Sequence, residues 1–114
     1  MPAATHLFAG CAVSDAETAR PFYERLFGRK PDLIPHAHEA CWDLGGGMWM
    51  YFVVDAARAG GGVLTLLVDD LDALVAEWAE RGIVPAEVRD EGPNARKAVV
   101  LDPDGNELGF GQVD

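Results

Sequence analysis

The chain has 114 residues, 49% hydrophobic and 25% charged, a composition that fits one globular domain around a single core. Nine basic residues against 19 acidic ones leave a formal charge of −10, which argues against a nucleic-acid partner because phosphates demand a basic surface. No apolar run approaches the roughly 18 residues of a membrane helix, and the opening Met1-Pro2-Ala3-Ala4-Thr5-His6 lacks the basic start and apolar stretch of a signal peptide, so a cytoplasmic protein with Cys11 and Cys41 as free thiols is expected.

The first strand is expected over residues 6–13. Ser14 and Glu17 then form a capping-box pair, and Ala19, Phe22, Tyr23 and Leu26 recur at i, i+3, i+4 and i+7 as one buried stripe of a helix. Pro21 lies inside that stripe and predicts a kink or a late helix start. Gly28 suits the left-handed position after the last turn. β-branched and aromatic residues between Gly, Pro and Asn punctuation predict strands over 30–35, 39–44 and 48–54. Residues 55–62, ending in Gly60-Gly61-Gly62, read as a flexible linker.

A second pass of the same plan follows. A strand over 63–68 leads to a helix capped by Asp69 or Asp70, with Leu71, Leu74, Val75 and Trp78 on its apolar face. Glu77 and Arg81 pair at i,i+4, and Gly82 closes the helix. Strands over 86–90, 96–101 and 106–112 complete the chain, with Asp102-Pro103-Asp104-Gly105 a turn between the last two. Val13-Ser14-Asp15 and Val68-Asp69-Asp70 mark the same point of the plan 55 positions apart. That spacing indicates a duplicated β-α-β-β-β unit. The expected organisation is a single α+β domain over 1–114, with unit one at 5–54, the linker at 55–62 and unit two at 63–113. The curved mixed sheets of the two units would form a cup with helices outside.

Two segments carry a family resemblance. Val13-Ser14-Asp15 followed by Phe22-Tyr23-Glu24-Arg25-Leu26-Phe27-Gly28, and Asp102-Pro103-Asp104-Gly105-Asn106-Glu107 through Phe110, resemble the paired motifs of the vicinal oxygen chelate superfamily. That superfamily holds glyoxalase I, extradiol dioxygenases, and fosfomycin and bleomycin resistance proteins. The resemblance implies the duplicated cup, and in metal-dependent members His and Glu ligands on the first and fourth strands of each unit. Transferred residue by residue, those positions fall on Phe8, Val63 and Gly109, and on the stretch 48–54, which holds no Glu or His. No metal or other cofactor is therefore expected. His6 and Glu107 keep the parity of the missing ligands two residues away, the one route to a relocated site. His36 and His38 read as a solvated hairpin.

Strand alternation then assigns the cup's lining. His6, Phe8, Gly10 and Ala12 face inward with Trp49, Tyr51 and Val53, as do Val63, Thr65 and Leu67 with Glu107, Gly109 and Gly111. The side taken by Trp42 is undetermined. The candidate ligand-binding residues are His6, Phe8, Trp42, Trp49, Tyr51, Thr65 and Glu107. Such a mix of aromatic area and sparse polar groups matches small-molecule pockets. The expected function is metal-independent capture of an aromatic or cationic small molecule, similar to the bleomycin-resistance branch. The alternatives are a lyase, isomerase or dioxygenase that uses a relocated metal or acid–base work by His6, Tyr51 or Glu107, and a regulatory module without a ligand. A homodimer is expected, and the linker permits pairing of units within a chain or between chains.

Overall fold

The computed structural model describes all 114 residues and contains two repeats of strand, helix and three strands. The first comprises β1 (Leu7–Val13), α1 (Ala16–Phe27), β2 (Leu33–His36), β3 (Glu39–Asp43) and β4 (Met48–Val54). The second comprises β5 (Val63–Leu67), α2 (Leu71–Glu80), β6 (Glu87–Asp90), β7 (Ala95–Leu101) and β8 (Glu107–Val113). Each repeat forms its own four-stranded sheet, ordered β1-β4-β3-β2 and β5-β8-β7-β6. In each, the first strand runs parallel to the last and the remaining pairs are antiparallel. A tight hairpin cannot join parallel neighbours, so the helix carries the chain to the far edge and three strands return from there.

Both helices are capped by aspartates. Asp15 accepts the Thr18 amide at 2.8 Å and Asp70 accepts the Ala73 amide at 3.0 Å. The capping box expected at Ser14 is not formed, because Ser14 is bonded elsewhere: its amide donates to Asp104 Oδ2 at 3.0 Å and its hydroxyl to the other carboxylate oxygen. Nor does Pro21 delay the helix, which begins at Ala16 and runs through it. The missing amide forfeits one bond, to the Glu17 carbonyl, close to the helix start. Gly28, at φ 72°, ends α1 in the left-handed conformation that only glycine adopts without strain. Neither helix is long and apolar enough to cross a membrane.

The helix-facing sides of both sheets and the inner sides of both helices form one continuous core. Trp78, fully buried, donates its indole N–H to the Leu26 carbonyl at 3.0 Å and so ties α2 to α1. The faces turned away from the helices stay open, and Phe8, Val63, Leu67 and Leu101 on them are exposed. Each unit therefore supplies one open half of the cup.

The units meet along two seams related by the repeat, and the seams differ. At one, the buried Asp102 accepts the Tyr23 hydroxyl at 2.7 Å, the Asn106 side-chain amide at 2.8 Å, and the Asp104 and Asn106 backbone amides at 2.9 Å. Asn106 also donates to the Ala12 carbonyl at 2.7 Å, fastening β1 to the turn before β8. The strand registers place Leu44 and Met48 at the equivalent positions of unit one. The Leu44 amide bonds the Met48 carbonyl at 2.8 Å, as the Asp102 amide bonds the Asn106 carbonyl at 3.0 Å. No buried carboxylate stands at that second seam, where Trp78 and Arg81 donate to the backbone carbonyls that end α1. Leu26, Leu44, Met48, Leu66 and Phe110 instead surround an apolar cavity of about 230 Å³.

Candidate functional site

On the open face of the first sheet, pairing sets Phe8 opposite Trp49 and Gly10 opposite Tyr51. The Phe8 and Trp49 rings stack, with centroids 5.2 Å apart and planes 17° apart, and Tyr51 meets Phe8 edge-on at 6.4 Å. Gly10 makes this possible. A β-carbon there would lie 2.7 Å from the Tyr51 hydroxyl oxygen, so the phenol rests on bare backbone. Phe8 is 47% exposed, and Trp49 and Tyr51 are half-buried. The three rings thus form a platform with area left for a further planar group. Cys41 and Glu39 continue the same face on β3. The Cys41 thiol donates to Glu39 at 3.6 Å, and its pKa is pushed up to about 11 by burial first and by the adjacent carboxylate second.

The open face of the second sheet is built by Val63, Thr65 and Leu67 on β5, paired with Glu107, Gly109 and Gly111 on β8. Lys97, Val99 and Leu101 extend it on β7. Glycines at 109 and 111 leave β8 without side chains on this face, and the side chains of Lys97 and Leu67 lie over them.

The structure therefore brings Phe8, Trp49 and Tyr51 together on one sheet and Thr65 with Glu107 on the other. Trp42 is a correction. It points to the helix side, is fully buried beside Tyr23, Phe27 and Phe52, and donates its indole N–H to the Arg29 carbonyl at 3.1 Å. Its neighbours in β3 decide this: Cys41 pairs with Tyr51, so Trp42 must face the other way. His6 lies just before β1, exposed, with its ring bonded to Thr5 Oγ1 at 3.0 Å. His36 and His38 sit exposed at the β2–β3 hairpin, where the His38 amide donates to His36 Nδ1 at 3.2 Å. Lys97 escaped the sequence reading. Residues 98–100 are apolar at every position, so alternation alone does not show which way Lys97 points until β7 is paired with β8.

The donor set does not fit a divalent metal. Phe8 faces Trp49 and Val63 faces Glu107, and no group of three or more His, Cys, Asp or Glu side chains is placed to hold an ion. The apolar cavity at the second seam is a weaker candidate for ligand recognition than the open faces. It lies on the helix side of the sheets, and Arg81 on its lining already donates to the Arg25 and Leu26 carbonyls.

Residues 5–110 match the family model of the Glyoxalase/Bleomycin resistance protein/Dioxygenase superfamily. The chain belongs to this superfamily. Its fold superposes on the crystal structure of a glyoxalase/bleomycin resistance protein from Catenulispora acidiphila DSM 44928 with a TM-score of 0.93 and 40% identity, over 97% of this chain and 100% of that one. TnmS3, an antibiotic binding protein from Streptomyces sp. CB03234, is 26% identical with a TM-score of 0.77, over 100% of this chain and 99% of that one. A lactoylglutathione lyase from Agrobacterium tumefaciens shares the fold at 20% identity and a TM-score of 0.73, over 97% of this chain and 95% of its own. No curated protein matches the chain significantly.

Proposed function

We propose that this protein captures a planar aromatic small molecule on the open faces of its sheets without using a metal. One observation carries the reading: Phe8, Trp49 and Tyr51 form a stacked, accessible platform held in place by Gly10. Likeness to an antibiotic binding protein over the full chain supports it. Catalysis by His6, Tyr51 or Glu107 is the second reading, and within one chain no two of them share a hydrogen bond: His6 is bonded to Thr5, and Tyr51 and Glu107 lie on different sheets.

A second copy of the chain completes each half-cup by setting the first sheet of one protomer against the second sheet of its partner. The exposed Phe8, Val63, Leu67 and Leu101 are apolar area that such an assembly covers.

The test combines thermal unfolding with tryptophan emission across a set of planar aromatic compounds. A ligand at 100 times its Kd raises native-state stability by about 2.7 kcal/mol and quenches emission from Trp49. Elemental analysis of protein purified without added metal accompanies it. A stoichiometric divalent ion held by protein donors on the open faces sinks the metal-independent reading. A broad aromatic set with no melting shift sinks capture itself.

A further inference from the structure

Lys97 is placed unlike any other cation of the chain. Arg20, Arg29, Arg81, Arg89 and Arg96 each reach a carboxylate. Arg25, Lys30 and Arg58 do not, and all three are exposed. Lys97 alone is half-buried with no carboxylate within ion-pair distance and no hydrogen bond to another group of the chain, in a protein whose acids outnumber its bases 19 to 9. An ammonium left without a partner is unusual where acids for pairing are this plentiful.

Its position is set by its neighbours. A β-carbon at Gly109 would collide with Lys97 Cε and would lie 3.2 Å from Lys97 Nζ and 3.1 Å from Thr65 Oγ1. The lysine stem thus takes the place a side chain at 109 would occupy, which brings its ammonium and the Thr65 hydroxyl close to the same point, while Leu67 covers Gly111. The lysine stem lies along the bare strand, and none of the three ammonium donors is taken by another group of the chain. Arg89, opposite Lys97 on β6, is held by Glu87 and Glu91, so those two carboxylates are engaged by another cation. Glu107, two residues before Gly109 on the same face, stands about 7 Å along the strand and closes that side to anions.

From this arrangement we infer that Lys97 and Thr65, over Gly109, form a subsite for an anionic oxygen group, a carboxylate or phenolate, of the captured molecule. For the aromatic part of that ligand the inference rests on the capture reading above. For its anionic part it stands on the second sheet alone. The ligand class is then an aromatic acid or an acidic phenol.

The experiment titrates the isotope-labelled full chain with benzoate and with benzamide, equal in shape and different in charge, and follows backbone amide resonances. Benzoate should bind at least about tenfold more tightly than benzamide and shift Thr65, Gly109 and Gly111 saturably. Lys97→Met should erase that preference without changing benzamide affinity, and Lys97→Arg should keep it. Equal affinities, a preference that survives Lys97→Met, or unmoved Gly109 and Gly111 resonances each overturn the subsite. Should benzoate move Gly109 while neither compound moves Trp49, the subsite stands and the aromatic platform falls.

Discussion

The Tyr23 hydroxyl donates to Asp102 Oδ2 at 2.7 Å, joining two residues 79 positions apart in the chain. Tyr23 belongs to the Phe-Tyr helix motif and Asp102 opens the Asp-Pro-Asp-Gly-Asn turn. The bond explains why both segments occur in one chain: each supplies half of the seam. Asp102→Ala leaves four buried donors without an acceptor and is expected to cost about 3 kcal/mol or more. Tyr23→Phe leaves Asp102 its three other donors and is expected to cost about 1 kcal/mol. Urea unfolding measures both, and an Asp102→Ala loss under ~0.5 kcal/mol would contradict the seam's role.

Alkali should unfold the protein by way of the same residue. Burial, then the neighbouring Cys11, then Asp102 push the Tyr23 phenol far above its ordinary 10.0. The folded state keeps a proton that the unfolded chain loses, so this contribution is complete below pH 10.0 and declines as pH rises beyond it. The loss amounts to about 1.4 kcal/mol per pH unit for one group. Tyr23→Phe should flatten that limb. A weaker decline begins near pH 9, because burial also raises both cysteine thiols above their ordinary 9.0. Denaturant midpoints from pH 7 to 11 check the sign; stability that grows above pH 10 contradicts it.

Two tryptophans separated by seven positions should answer mutation differently. Trp42→Ala empties a fully buried site and is expected to cost about 3–5 kcal/mol. Trp49→Ala removes a half-exposed stacking partner of Phe8, and about 1 kcal/mol is expected. Thermal melts of the two variants decide it, and equal losses contradict the assignment of Trp49 to the platform.

Adjacent glycines in the linker provide a sharper comparison. Gly60 has φ 92°, and a β-carbon there would lie 2.5 Å from the Asp104 backbone carbonyl, whereas Gly61 has nothing within 4 Å. Gly60→Ala should therefore cost about 2 kcal/mol or more from strain and collision together. Gly61→Ala should be neutral or stabilise by up to about 1 kcal/mol through the unfolded chain. Melting temperatures of the two variants give the order, and a reversed order sinks the account.

The duplicated architecture was legible because its signals are local. Trp78 and Leu71 repeat at helical spacing, Gly28 and Gly82 close the helices, and the 55-residue offset reads directly. The platform was legible too, since Trp49 and Tyr51 alternate along a strand whose parity could be matched to Phe8. Lys97 was not, because residues 98–100 are apolar on both faces and only the partner strand tells which side points where; Trp42 was left unplaced although Glu39 and Asp43 share the parity opposite to its own. Ser14 failed for another reason: it has the residue type of a cap, but a carboxylate 90 positions away competes for it.

The unequal seams give the molecule a direction in which to part. Where Asp102 gathers four donors, separation breaks directional bonds all at once. Along Leu44 and Met48 there is oily contact beside a hollow, and the bonds Trp78 and Arg81 make there end on backbone carbonyls of α1. Hydrogen–deuterium exchange should accordingly reach the amides of Leu44 and Met48 before those of Asp102 and Asn106, because the hollow admits water where the carboxylate seam does not.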